Sequence, residues 1–324
     1  MEKTDAQPRR LNVLFLGGAK RVSFGRKLIE AGKRLGVEIK IFSYELHTNV
    51  PIASIGTVVL GRRWDAPDLL SHMHNVVKAN DIQMMLPFVD GAVAAAGAYE
   101  GNYGDIWAPV VDPGLAETMF DKTSAAAAFK NARLPIPATY SWGRPEFPLI
   151  AKPRHGSASK GIFIIDTISE LRRVLKEKDA YLIQRYYPKR EEFTVDCYVS
   201  RRGKILCVSP RRRLEVLGGE VVRTITVDSP ELIELSTGII EALKLRGAIT
   251  IQFLRDKETE QLMLMEINPR LGGGVVCSIH AGADIPDLIL REALDLPLEP
   301  VTDIRPYIEI CRYFEEVAFN VVTY

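Results

Sequence analysis

The first third of the chain alternates short apolar runs with longer stretches whose apolar residues recur three and four apart. "LNVLFLGGA" (11–19) reads as a buried strand ending in glycines, and a helix is predicted from about Ser23 to Leu35. "VEIKIFSYE" and "GTVVL" are the second and third strands, and "DLLSHMHNVVKAN" is a helix. "DIQMMLPFVD" gives a fourth strand, "GAVAAAGAYE" another helix and "DIWAPVV" a fifth strand. Strands alternating with helices at this spacing predict a doubly wound, mostly parallel α/β sheet over residues 1–116. Such sheets bind ligands beyond the carboxyl ends of their strands, which singles out "GGAKRVS" and "PFVDGAV".

After Pro113 the pattern changes. "MFDKTSAAAAFKNARLPIPATY" reads as one alanine-rich helix that starts near Asp121 and stops at Leu134-Pro135. Strand "FPLIAKP", loop "RHGSASKG", strand "IFIID", helix "SELRRVLKEK" and strand "AYLIQRYY" follow. From Glu192 onward the strands look antiparallel: "EFTVDCYVS", "KILCVSP" and "EVVRTITV". Helix "PELIELSTGIIEALKL" puts Leu232, Leu235, Ile239 and Leu243 on one face. A hairpin, "GAITIQFLRDKETEQLMLMEINPR", closes the set, giving an α+β unit over 117–324 with lobes at about 117–184 and 185–324.

Composition narrows the field without deciding it. The 324 residues are 47% hydrophobic and 26% charged, ordinary for a globular protein, and the net charge of +1 steers toward neither nucleic acid nor membrane. Four cysteines without a CxxC pair suit a reducing cytoplasm, and the five histidines have no zinc spacing. No apolar stretch approaches the length of a bilayer span, and a polar start that leads into a strand does not read as a signal peptide.

Candidate chemistry is concentrated in four segments. In "LMLMEINPRLGGG", strand alternation puts Leu262, Leu264, Glu266 and Asn268 on one face and Met263, Met265 and Ile267 on the other. Two oxygen-bearing side chains two residues apart can hold a hard cation such as Mg²⁺, although a solvated strand end has the same pattern. Gln252 joins them if the hairpin pairs it with Leu264 or Glu266, and Arg270 is placed to grip a carboxylate or phosphoryl group. In "IAKPRHGSASKG", Lys152 precedes a Gly/Ser loop whose amides can cradle phosphate, and a surface turn reads the same way. In "YLIQRYYPKREEFTVDCYV", a polar link between strands offers backbone groups to a purine edge, and Glu192 can accept from ribose hydroxyls. There Glu192, Thr194 and Asp196 share one face, and Phe193, Val195 and Cys197 the other.

These segments in this order resemble the ATP-grasp superfamily, most closely its carbamoyl phosphate synthetase-like branch of carboxylate–amine ligases, over about residues 11 to 300. The resemblance implies a Rossmann-like N-terminal domain followed by a two-lobed ATP-grasp domain. It implies that Lys122 and Lys152 contact the nucleotide phosphates under a lid from Gly156 to Gly161, with Gly156, Ser157, Ser159 and Gly161 as its binding residues. Gln184, Arg185, Tyr186 and Tyr187 would line the adenine pocket and Glu192 would bind ribose. Gln252, Glu266 and Asn268 would hold one or two Mg²⁺ (or Mn²⁺), and Arg270 would orient an acyl phosphate, with Arg270, Lys152 and Glu266 as the catalytic set. Phosphoryl transfer from ATP to a carboxylate, then attack by an amine, would release ADP and phosphate. The implied partners are a small carboxylate and a small amine, with a homodimer frequent among relatives.

Relatives take substrate in the loops after the first and fourth strands, which makes Lys20, Arg21, Ser23 and Asp90 candidates. Arg211-Arg212-Arg213 reads as a solvated edge or, through Arg211 and Arg213, as a site for an acidic substrate. The glycine loop is poorer than in many relatives, and no glutaminase or second synthetase half is present, so carbamoyl phosphate synthesis itself is not expected. Two rivals stand beside the ligase. A nicotinamide oxidoreductase would use "LFLGGAKRVSFG" with Glu45, but Gly17, Gly18 and Gly25 do not have GxGxxG spacing. A non-catalytic ATP sensor would have lost a metal ligand, and none is lost.

Overall fold

The computed structural model describes residues 9–140, 143–156 and 160–320. Strand β1 (Arg9–Leu16) ends in six consecutive buried residues because it lies between two neighbours with helices on both sides. Helix α1 (Val22–Arg34), β2 (Val37–Glu45), β3 (Thr57–Leu60), α2 (Leu69–Ala79), β4 (Met84–Pro87) and α3 (Asp90–Tyr103) complete a parallel sheet in the order β3-β2-β1-β4. One face packs Leu14, Leu16 and Met85 against Met73 and Val77 of α2 and Ala96 of α3.

The expected fifth strand does not form. "DIWAPVV" makes one parallel bridge, Trp107 to Met84, and then turns away. Pro109 has no N–H for a ladder, and its carbonyl accepts from Ala248 of the larger sheet instead (3.1 Å). Gly247 is obligatory at that contact. Its φ is +77°, and a Cβ would lie 2.1 Å from the Pro109 oxygen.

A further short helix, α4 (Pro113–Phe120), comes before Asp121, and the alanine-rich segment forms one helix from there, as expected, α5 (Lys122–Asn131). Asp112 and Asp121 each cap the helix that follows, accepting from amides two and three residues on. A small lobe follows: β5 (Leu149–Pro153), β6 (Phe163–Ile165), α6 (Ile168–Val174) and β7 (Tyr181–Arg185), with the antiparallel order β6-β5-β7. It has its own core of Leu149, Ala151, Ile165, Leu171, Val174 and Ile183.

The remainder is built on β8 (Arg190–Val199), β9 (Ile205–Leu217), β10 (Glu220–Thr226), α7 (Pro230–Leu243), β11 (Gly247–Asp256) and β12 (Leu262–Asn268). Then come α8 (Val275–Ala281), α9 (Ile285–Ala293) and β13 (Glu309–Cys311). The sheet order is β12-β11-β8-β9-β10-β13, all antiparallel. Its back face packs Phe193, Val195, Ile251 and Phe253 against Leu232 and Ile239 of α7. Helices α8 and α9 share a core with α1 and the other face of the parallel sheet through Val275, Leu288 and Ile289. No helix among the described residues is long and apolar enough to cross a membrane.

Candidate active site

The register of β11 on β12 pairs Gln252 with Glu266 and Thr250 with Asn268. Between these pairs and Phe253–Leu264 the ladder skips Met265, a bulge that corrects the simple alternation read from the sequence. With the extra residue, Leu262, Leu264 and Ile267 all reach the back core, while Glu266 and Asn268 turn to the front. Leu264 and Glu266 therefore do not share a face. On the next strand, Thr194 pairs with Gln252, so β8 presents Glu192, Thr194 and Asp196 on that same front, as its alternation predicts.

The front face looks across a cleft of about 1120 Å³ toward the small lobe. On the far wall, Lys152 of β5 donates to Gln184 Oε1 (3.0 Å). Burial lowers the Lys152 pKa, and the Glu266 carboxylate pulls it back up. Lys122, at the start of α5, reaches the Gly156 carbonyl (2.8 Å). Glu192 lies between two guanidiniums, Arg190 (2.9 Å) and Arg213 (3.3 Å), with Arg190 also 5.1 Å over the Tyr186 ring.

Glu266 and Asn268 meet, and Gln252 lies opposite Glu266 on the neighbouring strand. Asn268 Nδ2 donates to Glu266 Oε1 (2.9 Å), and Arg213 Nη1 donates to Gln252 Oε1 (2.9 Å). The set holds three hard oxygens but a single carboxylate, and no group of three His, Cys, Asp or Glu side chains forms a metal cage among the described residues. It fits Mg²⁺ when anionic oxygens from a bound phosphate complete the shell. Arg270 donates to Asp90 (2.7 Å) and to Asn268 Oδ1 (3.2 Å), which fixes its guanidinium beside these oxygens.

The arginine run is not a solvated edge. Arg211 is 2% exposed and pairs with the fully buried Asp196 (2.8 Å), which also accepts from Ser278 (2.7 Å). Arg213 faces the metal-type oxygens, and Arg212 pairs outward with Glu191 (3.1 Å). Arg211 explains Gly274, where a Cβ would come within 2.7 Å of its guanidinium.

Not every candidate converges. Arg185 is exposed toward Glu146 (3.6 Å) and, with Tyr187, lies off the cleft lining, whereas Gln184 and Tyr186 are on it. Ser23 is exposed in the first turn of α1 and lies outside the cleft lining. Lys20 lines a neighbouring cavity rather than the cleft. Gly161 (φ +71°) packs on Pro153 outside the cleft lining, and Ser157 and Ser159 lie outside the described residues. Arg190, Lys160 and Glu220 also line the cleft, with Arg312 beside Glu220, and none of the four is among the sequence-based candidates. Parity with Glu192 could have found Arg190. Arg312 meets Glu220 (2.7 Å) across 92 residues of chain, and no local pattern encodes that pair.

Ten basic and five acidic side chains line the cleft, a surplus of five positive charges in a site assembled from three sheets. Residues 177–315, which carry its large wall, match the family described as ATP-grasp in the biosynthetic pathway with Ter operon. Over that segment the chain is similar to the ATP-grasp family. A structural likeness extends beyond that match. A Hydrogenobacter thermophilus 2-oxoglutarate carboxylase biotin carboxylase domain dimer, solved with MgADP, ADP and bicarbonate, superposes with a TM-score of 0.73 at 18% identity. That alignment covers 91% of this chain and 72% of the other. By sequence, the chain is 25% identical to a putative urea carboxylase of Emericella nidulans over 45% of its length. It is 23% identical to the carbamoyl phosphate synthase large chain, N-terminal section, of Methanopyrus kandleri over 48%. These alignments span only 14% and 30% of those two relatives.

The oxidoreductase rival meets a physical obstacle in the same region. Glu45, which would have to bind a ribose, accepts from the Ser43 hydroxyl (2.7 Å), and the Gly18 and Ala19 amides act on its carboxyl. A carboxylate thus faces the amides that a dinucleotide's pyrophosphate would need.

Proposed function

We propose that this protein is an ATP-dependent carboxylate–amine ligase that activates an acid as its acyl phosphate and releases ADP and phosphate. The observation that carries the reading is the registered pairing of Gln252 with Glu266 beside Asn268, facing Lys152 across the cleft with Arg270 at the same end. Structural likeness to a MgADP-bound carboxylase domain supports it.

The nucleotide lies between the lobes, with its base toward Gln184 and Tyr186 and its ribose at Glu192. Lys122 and Lys152 neutralise charge on the phosphates. Glu266, Asn268 and Gln252 would hold Mg²⁺, which would supply Lewis-acid neutralisation of phosphate charge. Arg270, braced by Asp90, holds the acid's carboxylate in line with the γ-phosphate. The carboxylate oxygen forms a bond to γ-phosphorus as the bond to the ADP oxygen breaks. An amine then attacks the acyl carbon, phosphate leaves, and the amide remains. The small lobe, with a core of its own, can close to keep water from the acyl phosphate.

The test is a phosphate-release screen of acids against amines with MgATP, run on the wild type and on Glu266→Gln. Release that needs both an acid and ATP, and falls about a hundredfold or more in Glu266→Gln with an unchanged melting temperature, is the expected result. Equal release by the variant would remove Glu266 from the chemistry.

A further inference from the structure

Beside the cleft, at the carboxyl ends of β1, β2 and β3, lies a second cavity of about 840 Å³. Besides the loop after β1, which brings Lys20 and Arg21, its wall comes from two loops outside the substrate set read from the sequence: Leu46 and Val50 after β2, and Trp64 after β3. The Trp64 ring lies 5.9 Å from that of Tyr44, tilted by 30°. Tyr44 is locked in place, its hydroxyl accepting from the Arg62 amide (3.0 Å) and bonding His72 Nδ1 (2.8 Å). The wall is therefore rigid and largely apolar, and Leu46 at its mouth is 52% exposed.

Charge is distributed unevenly around it. At the rim, Arg62 is paired with Asp68 (3.0 Å) and Arg63 with Asp65 (3.1 Å). Of the acids, Glu220 is held by Arg312 (2.7 Å) and Glu45 by Ser43 (2.7 Å). At the inner end lies Arg21. Among the described residues no acceptor takes a hydrogen bond from its guanidinium, which lies 5.8 Å from the Phe88 ring. Burial with Arg270 and Arg312 nearby lowers its pKa to about 10, against the pull of Glu220, so it remains cationic at neutral pH. Arg21, Val89 and Glu220 line both cavities, so the two adjoin at Arg21.

We infer that the acid substrate is a bulky apolar monocarboxylic acid, its carboxylate at Arg21 and Arg270 and its body in the second cavity against Tyr44, Leu46, Val50 and Trp64. The inference rests on the ligase reading and specifies its acceptor. A cavity of this size matches a ligand of ten or more heavy atoms, and bicarbonate or acetate would leave its apolar wall uncovered. An amine would need a free carboxylate at the inner end, where the free group is instead a cation.

The test compares acetate, bicarbonate, octanoate and 3-phenylpropionate in the MgATP phosphate-release assay, in wild type, Trp64→Ala and Leu46→Asp. Tryptophan emission is titrated with 3-phenylpropionate in wild type and Trp64→Phe. Octanoate or 3-phenylpropionate should support release where the small acids do not, and both cavity variants should raise the KM for them by about tenfold or more. The KM for ATP should stay within about twofold. Emission should change with 3-phenylpropionate and lose that response in Trp64→Phe. Equal kcat/KM for acetate or bicarbonate, or unchanged KM in both variants, would overturn the inference while leaving the ligase standing. If no acid supports release, the ligase reading fails, and the emission titration decides the cavity by itself: a response lost in Trp64→Phe supports it, and no response overturns it.

Discussion

Among single residues, Asp196 shows how a buried charge shapes this cleft. It is fully buried, bonded to Arg211 and Ser278, and it aims a guanidinium at the Gly272–Gly274 turn without touching the cleft oxygens itself. Removing one member of such a pair leaves the other charged and desolvated, so Asp196→Ala should destabilise the fold by about 3–5 kcal/mol. Chemical denaturation of the variant measures this, and a loss below about 1 kcal/mol would mean that Arg211 finds solvent elsewhere. The sequence did place Asp196 on the same face as Glu192 and Thr194. What it could not supply was the partner, because "RRR" looks identical whether the strand lies at an edge or, as β9 does, between β8 and β10. The same limit hid the brace on Arg270, whose partner Asp90 is 180 residues away.

Elements were legible wherever a local rule decided them. The alternation of β8, the helix at "PELIELSTGIIEALKL" and the start of α5 at Asp121 all follow from periodicity and capping. Where a tertiary contact overrode the local rule, the reading failed. Pro109 left its ladder for β11, and Met265 bulged so that β12 could bury Leu264 and Ile267 while turning Glu266 forward. The Asp121 cap makes a prediction of its own. Arg154 (2.6 Å), then the Ser124 and Thr123 groups, hold its carboxyl well below the usual carboxylate range, against a smaller opposing effect of burial. The native state therefore favours the ionised form, and the stabilisation is complete above the ordinary value of 3.8 and lost as pH falls below it toward the native pKa. The melting-temperature gap between wild type and Asp121→Asn should be constant near neutrality and shrink in acid. A gap that persists unchanged to pH 2 would show that the charge of Asp121 contributes nothing.

For the whole molecule, the decisive feature is that three sheets meet around one cleft while only the small lobe keeps a separate core. The parallel sheet and the large lobe share α1, α8 and α9 and form a fixed base that carries Asp90, Arg270 and the second cavity. The order of segments along the chain made this architecture readable, because each motif sits at a strand end that the topology brings to the cleft. The surplus of positive charge within it was not readable, since the chain as a whole is nearly neutral. With one carboxylate among its three oxygens, and Arg213 already bonded to Gln252, the metal-type site should bind a divalent ion only together with nucleotide phosphate. Electron paramagnetic resonance of Mn²⁺, titrated with the protein in the presence and absence of ADP, tests that directly. Mn²⁺ should remain free with protein alone, become protein-bound when ADP is added, and stay unbound by the protein in Glu266→Gln; tight binding without nucleotide, or an unaltered ADP-dependent signal in the variant, would contradict the account.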